Sequence, residues 1–341
     1  MGNEQIESIA SFQFRDLHPD LFIGTASDRY AGWVGQIYTE EGFGRTMTRR
    51  SKKVGRKTFA EEVLPVQSVE EYFLHFRILE LDFTFYLPLL DREEKPTRVF
   101  HLLHAYRRHL KKGDRIILKA PQVIFARKVF RQSRYIDNEQ YLNPRVFIKQ
   151  FYQPVIELLA PWLEGIVFEQ EYQRKGNRVS PEEQAAELDA FFGAIPEDNR
   201  YHVELRTEAL LTGPVFKILG GYGVGQVLSH WTWLPALSKQ FALSGKRFLN
   251  RNSCIIRLMT PKGMRYEDAY ARAHPFNVPI KGMQSPGMVQ DTTQLIKRGI
   301  EEAVRVNVIV NNRAGGNAPV IAQQVAREFL DGLKGKESHG N

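Results

Sequence analysis

Apolar residues recur along this chain in two alternating rhythms. Short runs rich in Val, Ile and Leu alternate with stretches in which apolar positions return every three or four residues, the spacing of one helix face. The runs predict strands at 21–25, 78–83, 115–119, 166–170, 201–206, 226–229, 254–258 and 306–310. Helices are expected between them. Ser68-Val69-Glu70-Glu71 reads as a capping box opening a helix to about residue 76. Pro96 starts another, with Val99, Leu102, Leu103, Tyr106 and Leu110 on one face and Gly113 at its end. Ser180-Pro181-Glu182-Glu183 caps a third, and further helices are expected within 143–163, 214–219, 235–241, 292–305 and 319–333. Eight strands, each followed by a helix, are the count of a (β/α)₈ barrel. The expectation is therefore an α/β fold, one TIM-type barrel over 15–335 with an insertion at about 42–66 after the first strand, and flexible termini at 1–14 and 336–341. Gly-rich Gly220-Gly221-Tyr222-Gly223-Val224-Gly225 follows a helix and precedes a strand, the reverse of the order in a dinucleotide fingerprint.

Composition narrows the class without naming a chemistry. With 341 residues, 43% hydrophobic and 25% charged, the chain is an ordinary folded protein, and disordered or coiled-coil readings are excluded. No stretch approaches the roughly 18 uninterrupted apolar residues of a membrane span. Met1 to Glu7 has no basic start or apolar block of a secretory signal, so the expected location is cytoplasmic. A single cysteine, Cys254, excludes an internal disulfide, a Cys-based zinc site and an iron–sulfur cluster held by this chain alone.

Charge is uneven. Of the net +8, seven charges come from Arg45, Arg49, Arg50, Lys52, Lys53, Arg56 and Lys57, with no acid among residues 45–57. Without them the balance is 8 − 7 = +1. A second region, His101 to Arg134, holds ten Lys and Arg against Asp114. Two readings stand: cations that neutralise nucleic-acid phosphates, chiefly through residues 45–57, or a solvated loop and helix face.

In a barrel of this type chemistry lies at the C-terminal ends of the strands, so charges within apolar strands are informative. These are Glu80, Asp82, Lys119, Glu204, Arg206 and Arg257. Period two puts Glu80, Asp82 and Thr84 on one face, and Glu204 with Arg206. Either they form a buried ion-pair network, or they line a pocket where Glu80 or Glu204 moves a proton while Lys119, Arg206 and Arg257 hold an anionic group. Both can hold together. After the last strand, Asn311 to Pro319 is either an anion-binding loop at a helix start, using the amides of Gly315 and Gly316, or an ordinary turn. His230 ends the sixth strand beside Trp231, well placed for a pocket. His101 and His104 lack an acidic partner in register and Cys254 reads as core, so no metal ligand is expected, and no cofactor motif is present.

These residues also carry a resemblance. Ile23-Gly24-Thr25-Ala26-Ser27 with Tyr30, Trp33, Gly35 and Tyr38 resembles the opening I-G-T-S-G-W-S-Y-x-x-W-x-G-x-F-Y-P of the YecE-like family, domain of unknown function 72. Leu79 to Tyr86 resembles its V-E-I-N-S-T-F-Y, and Leu118-Lys119-Ala120-Pro121 its V-K-A-P. Gly165 with Gln170 is similar to G-x-x-x-x-Q, Val203-Glu204-Leu205-Arg206 to V-E-F-R, and Ile256-Arg257-Leu258 to V-R-L-H-G. Val310-Asn311-Asn312 with Gly316 and Ala318 is similar to F-N-N-x-x-x-G-x-A. The opening and the six motifs after it run in order along nearly the whole chain, and the resemblance implies a TIM barrel. It names a pocket and not a reaction.

Departures from the family pattern bear on chemistry. Met259 and Thr207 stand where it has histidines, Asp82 where it has asparagine, and Phe83 where it has serine. Any proton transfer by those histidines would be lost here or moved to His230. The expected catalytic group is Glu80, Lys119, Glu204 and Arg206. Expected binding residues are Tyr30, Trp33, Asp82, Thr84, Tyr86, Gln170, His230, Arg257, Asn311, Asn312, Gly315 and Gly316. The function expected is an enzyme or ligand-binding barrel for a polar or anionic small molecule, with the insertion as a lid. The alternative is a nucleic-acid-binding or processing protein in which the insertion grips backbone and Tyr30, Trp33 or Tyr86 stacks a base.

Overall fold

In the computed structural model, residues 8–43, 46–131 and 134–337 are described. Arg45 of the basic run lies outside them. Strands Leu21–Ala26, Ile78–Leu81, Arg115–Lys119, Leu163–Glu169, Tyr201–Glu204, Ser253–Leu258 and Arg305–Val310 run parallel in one sheet. The first pairs with the last, Leu21 opposite Val306 and Thr25 opposite Val310. The segment predicted as strand six is split at Val227. Gly225–Gln226 pairs with Tyr201–Glu204, and Leu228–His230 pairs with Ser253–Leu258, so this one segment closes the sheet into a barrel. The TIM-type fold expected from the strand count is what the chain adopts.

A sheet covered on both faces requires strands that are apolar throughout, which is why these runs lack alternation. Leu21–Ala26 and Leu163–Glu169 are buried at every position. Phe22, Ile78, Ile117, Val167, Val227, Ile255 and Ile309 fill the barrel with Met259, the residue that replaces a family histidine. The N-terminal end is closed by charge. Glu164 receives Arg305 at 3.1 Å and Arg115 at 3.6 Å, while the guanidiniums of Arg77 and Arg305 lie 4.6 and 5.1 Å from the Phe22 ring centre. Arg115 at this end and Lys119 at the other show that the basic stretch from 101 to 134 is not one surface.

The outer ring comprises Val69–His75, Arg98–Arg107, the run Pro144–Phe147 to Gln153–Leu159, Pro181–Phe192, Gly213–Gly221, Leu237–Leu243, Met288–Glu301 and Ala318–Glu337. Ser180 accepts from the Glu183 amide at 3.0 Å as expected of its cap. The box at Ser68 does not form: Ser68 is itself helical, and Glu71 reaches instead to the Thr39 amide and hydroxyl at 2.8 and 2.9 Å. The packed chain also begins earlier than residue 15. Phe12 and Phe14 are buried in the main core, Phe14 packed at a tilt against Phe76 with ring centres 4.5 Å apart, because aromatic area close to the sheet is worth more out of water than the order it costs.

The insertion after the first strand contains an antiparallel hairpin, Thr48–Val54 with Lys57–Val63. Val54 packs with Ala269, Tyr270, Ala273 and Phe276, which belong to the helix Tyr266–Ala273 and the segment after it. The loops after the first and seventh strands therefore meet. Its cations face acids on the opposite strand: Arg49 with Glu62 at 2.8 Å, Arg50 and Lys52 with Glu61 at 2.8 and 3.3 Å. A second hairpin, Lys128–Arg131 with Arg134–Asp137, follows the third strand.

Candidate functional site

Six charged side chains from five strands and their ends converge inside the barrel at its C-terminal end. Arg257, fully buried, donates through Nη2 to Glu80 Oε1 at 2.7 Å and through Nη1 to Glu169 Oε2 at 3.1 Å and to Glu204 Oε2. Lys119 Nζ lies 2.6 Å from Glu169 Oε2, and Arg206 lies 2.8 Å from Glu169 and 3.4 Å from Glu204. Three cations balance three carboxylates, the condition under which buried charges are tolerated. The same cations dictate protonation. Against the cost of burial, Arg206, Lys119 and Arg257 hold Glu169 far below the carboxylate range, and Arg206 and Arg257 hold Glu204 down as well. Carboxylates locked in the ionised form make poor proton donors at neutral pH, so the acid/base role expected of Glu204 is not supported by its surroundings. Glu80 is sealed under Arg257.

The open part of this floor is cationic. Arg206 retains 17% of its side-chain surface, Lys119 9% and Glu169 6%, whereas Glu80 and Glu204 retain none. Aromatic rings flank both cations: Arg206 lies 4.8 Å from the Trp231 ring centre and Lys119 5.2 Å from that of Phe85.

Beside the floor lies a cleft of about 760 Å³ between the hairpin and the loops after strands one and two. Tyr30, Asp82 and Tyr86 line it, together with Asp28, Phe83, Tyr106 and Phe276. Asp82 accepts from the Ser27 hydroxyl at 2.8 Å. Tyr86, with 70% of its surface exposed, divides this cleft from a second of about 650 Å³ that is lined by Pro88, Arg92, Arg145 and Lys149 among others.

Other expected site residues do different work. The second strand stops at Leu81, and Asp82–Phe85 coils into a 3₁₀ turn, so Thr84 leaves the Glu80 face and donates to the Lys119 carbonyl at 2.8 Å. Gln170 follows the end of its strand and turns outward to Gln184, at 2.8 Å, on the helix Pro181–Phe192. His230 shares the parity of Leu228, which packs in the outer core, and it lies near Asp291 of the helix Met288–Glu301. Burial pushes its pKa down to about 4, so it is neutral and behind the barrel wall. Trp33 is fully buried and donates to Asn312 Oδ1 at 3.2 Å, which rules it out as a stacking platform.

The loop after strand eight is a structural turn. The amides of Gly315 and Gly316 both donate to the Asn312 carbonyl, at 3.3 and 2.7 Å. Asn312 Oδ1 caps the Ala318 amide at 2.8 Å, and Asn311 Oδ1 accepts from Arg313 at 3.0 Å. Gly316 has φ +108, and a Cβ there would lie 2.5 Å from the Val278 carbonyl oxygen. These amides are therefore spent within the chain, and the anion-binding reading fails.

Two residues of the site escaped the sequence reading. Glu169 obeys the same rule as Lys119, a charge ending an apolar strand, but the neighbouring Gln170 drew the attention through the family motif. Asp28 is the second residue beyond the first strand, and nothing in its spacing signals burial. Among the described residues no cluster of three His, Cys, Asp or Glu is arranged to hold a metal ion. Burial alone pushes the Cys254 thiol well above its ordinary range.

A family model described as protein of unknown function DUF72 matches residues 22–338. A crystal structure of a DUF72 family protein from Thermotoga maritima MSB8 superposes with a TM-score of 0.54 at 13% identity, covering 92% of this chain and 99% of that one. A second, from Enterococcus faecalis V583, gives 0.55 at 15% identity, covering 91% and 95%. At these identities the likeness concerns the fold. No curated protein matches the chain.

Proposed function

Because the chain belongs to the DUF72 family, whose description carries no activity, we propose its function from the barrel mouth: it is an enzyme acting on a polar small molecule at the C-terminal ends of the strands. The observation that carries this is the asymmetry of the floor. Arg206 reaches furthest into the mouth, Lys119 and Glu169 lie just beneath it, and Glu80 and Glu204 are sealed below. Fixed cations at the edge of a low-dielectric interior stabilise negative charge that develops on a substrate oxygen, without reorganising as it does so. Tyr86 and the two clefts beside it supply room for the rest of the molecule. Mass spectrometry of what copurifies with the protein identifies the ligand, and Arg206→Ala should lose it. A ligand retained equally by Arg206→Ala and Tyr86→Ala variants that fold would place binding elsewhere and sink this reading.

The nucleic-acid reading has one observation in its favour: Lys53, Arg56 and Lys57 are exposed at the hairpin end. It is weakened by Glu61 and Glu62, which pair with Arg49, Arg50 and Lys52. Deleting 46–63 and measuring salt-dependent retention of RNA or DNA separates the two.

A further inference from the structure

Asp28 holds a carboxyl group that the protein satisfies only halfway. The residue is 2% exposed; Oδ1 accepts from the Tyr106 hydroxyl at 2.8 Å, while Oδ2 is buried and has no hydrogen-bond partner. A buried acceptor left unpaired carries its full desolvation cost. Asp28 also lines the larger cleft, so a molecule bound there lies next to this carboxyl group. The groups around it come from several elements. Tyr106 stands on the helix Arg98–Arg107, and Tyr38 donates to the Asp28 carbonyl at 2.6 Å. Arg29 favours the ionised form, and Asp82, from the turn after the second strand, opposes it. Burial outweighs them and raises the pKa to about 6. Ser27, whose φ of +67 lies in the left-handed region, holds Asp82 in place beside it.

Charge decides the class of ligand. The cleft is lined by four acids, Asp28, Asp82, Glu61 and Glu62, and by four Arg and Lys residues, Arg29, Arg49, Arg50 and Lys52, with His274 besides. A balanced lining favours neither an anion nor a cation, whereas hydroxyl groups find acceptors in the carboxylates and donors in the guanidiniums. Tyr30, Phe83, Tyr86 and Phe276 add aromatic faces against which the C–H side of a ring can lie. We propose that this cleft binds a neutral, polyhydroxylated ring, a sugar or cyclitol unit, with Asp28 Oδ2 accepting one of its hydroxyls while Tyr106 fixes the other oxygen. The assignment rests on the mouth being the ligand site and names the substrate class for it. It narrows the polar or anionic expectation to the uncharged case.

Saturation-transfer NMR on the full chain with methyl β-glucopyranoside, maltose, cellobiose and myo-inositol tests it, with inorganic phosphate and tetramethylammonium as charged probes. At least one neutral probe should bind, and Asp28→Asn should weaken it about tenfold, the loss of one hydrogen bond to a charged acceptor. Asn keeps an oxygen for Tyr106, and circular dichroism confirms folding. As a second readout, the carboxyl carbon of Asp28 should titrate lower when the probe saturates the cleft, because the ligand favours the ionised form. No binding by any neutral probe, undiminished affinity in folded Asp28→Asn, an unmoved titration, or a response to tetramethylammonium or phosphate alone overturns the proposal. A charged copurifying metabolite lost in Arg206→Ala and kept in Asp28→Asn would overturn this assignment while leaving the mouth as the ligand site. No ligand of any kind would remove both.

Discussion

Arg257 and Glu80 meet at 2.7 Å across the inside of the barrel, although the strands that carry them are separated in the sheet by Leu21–Ala26 and Arg305–Val310. The contact is possible because both side chains point inward in the same layer. Its partners, Glu169 and Glu204, come from the other side of the barrel, so one guanidinium ties non-neighbouring strands together.

Arg257→Met should destabilise the fold by about 3–5 kcal/mol, because it leaves buried carboxylates without their shared counter-charge. Denaturant unfolding followed by fluorescence measures this. Adding Glu80→Gln to Arg257→Met should recover part of the loss. If the double variant is less stable than the single one, Glu80 is not strained by losing its partner.

Asp28 predicts a pH dependence of opposite sign to the rest of the site. Its folded-state pKa, about 6, lies above the ordinary aspartate value of 3.8, so the folded protein binds the proton more tightly than the unfolded chain. Its contribution is therefore full below pH 4 and is lost as pH rises through about 6, in all about 3 kcal/mol. Asp28→Asn should be more stable than the parent at pH 7, with the difference shrinking towards pH 4. Parallel stability curves for the two proteins would exclude a raised pKa. Glu169 and Glu204, both depressed, act the other way and lose their contribution as pH falls below the ordinary carboxylate range.

Gly225 and His202 share one space. A Cβ on Gly225 would stand 2.3 Å from His202 Cδ2, and the ring is held by the Arg200 carbonyl, 3.0 Å from Nδ1, and the Ser253 hydroxyl, 3.3 Å from Nε2. Gly225→Ala should cost about 1–3 kcal/mol, in the range of overpacked interiors, and open the sheet at its closing segment. His202→Ala should relieve the added penalty of Gly225→Ala. A thermal-melt double-mutant cycle with no coupling would contradict this.

Glu61 should anchor the hairpin. It is buried under Arg50, Lys52 and the Tyr270 hydroxyl, and the last of these ties the insertion after strand one to the helix Tyr266–Ala273. Glu61→Ala should raise the rate of trypsin cleavage at Lys52, Lys53, Arg56 or Lys57 several-fold while the barrel core keeps its melting temperature. Unchanged cleavage would mean that Val54 and Phe59 alone hold the hairpin down.

The alternation of apolar runs with helical faces determined the barrel, because a sheet buried on both sides and helices buried on one leave different periods in any sequence. The same rule picked out Glu80, Lys119, Glu204 and Arg257, since a charge inside an apolar strand has to be answered by another. Where those charges find their partners was decided only by the closed barrel, which brought in Glu169 and turned expected proton carriers into a locked floor. Strand ends were beyond the pattern too. Thr84 and Gln170 lie past the last ladder contact, where period two no longer says which way a side chain points, whereas His230 keeps the outward parity of Leu228. Asp28 shows the limit most plainly: its burial and its unpaired oxygen come from Tyr38, Tyr106 and Asp82, residues 10, 78 and 54 positions away along the chain, and no local pattern encodes such a meeting.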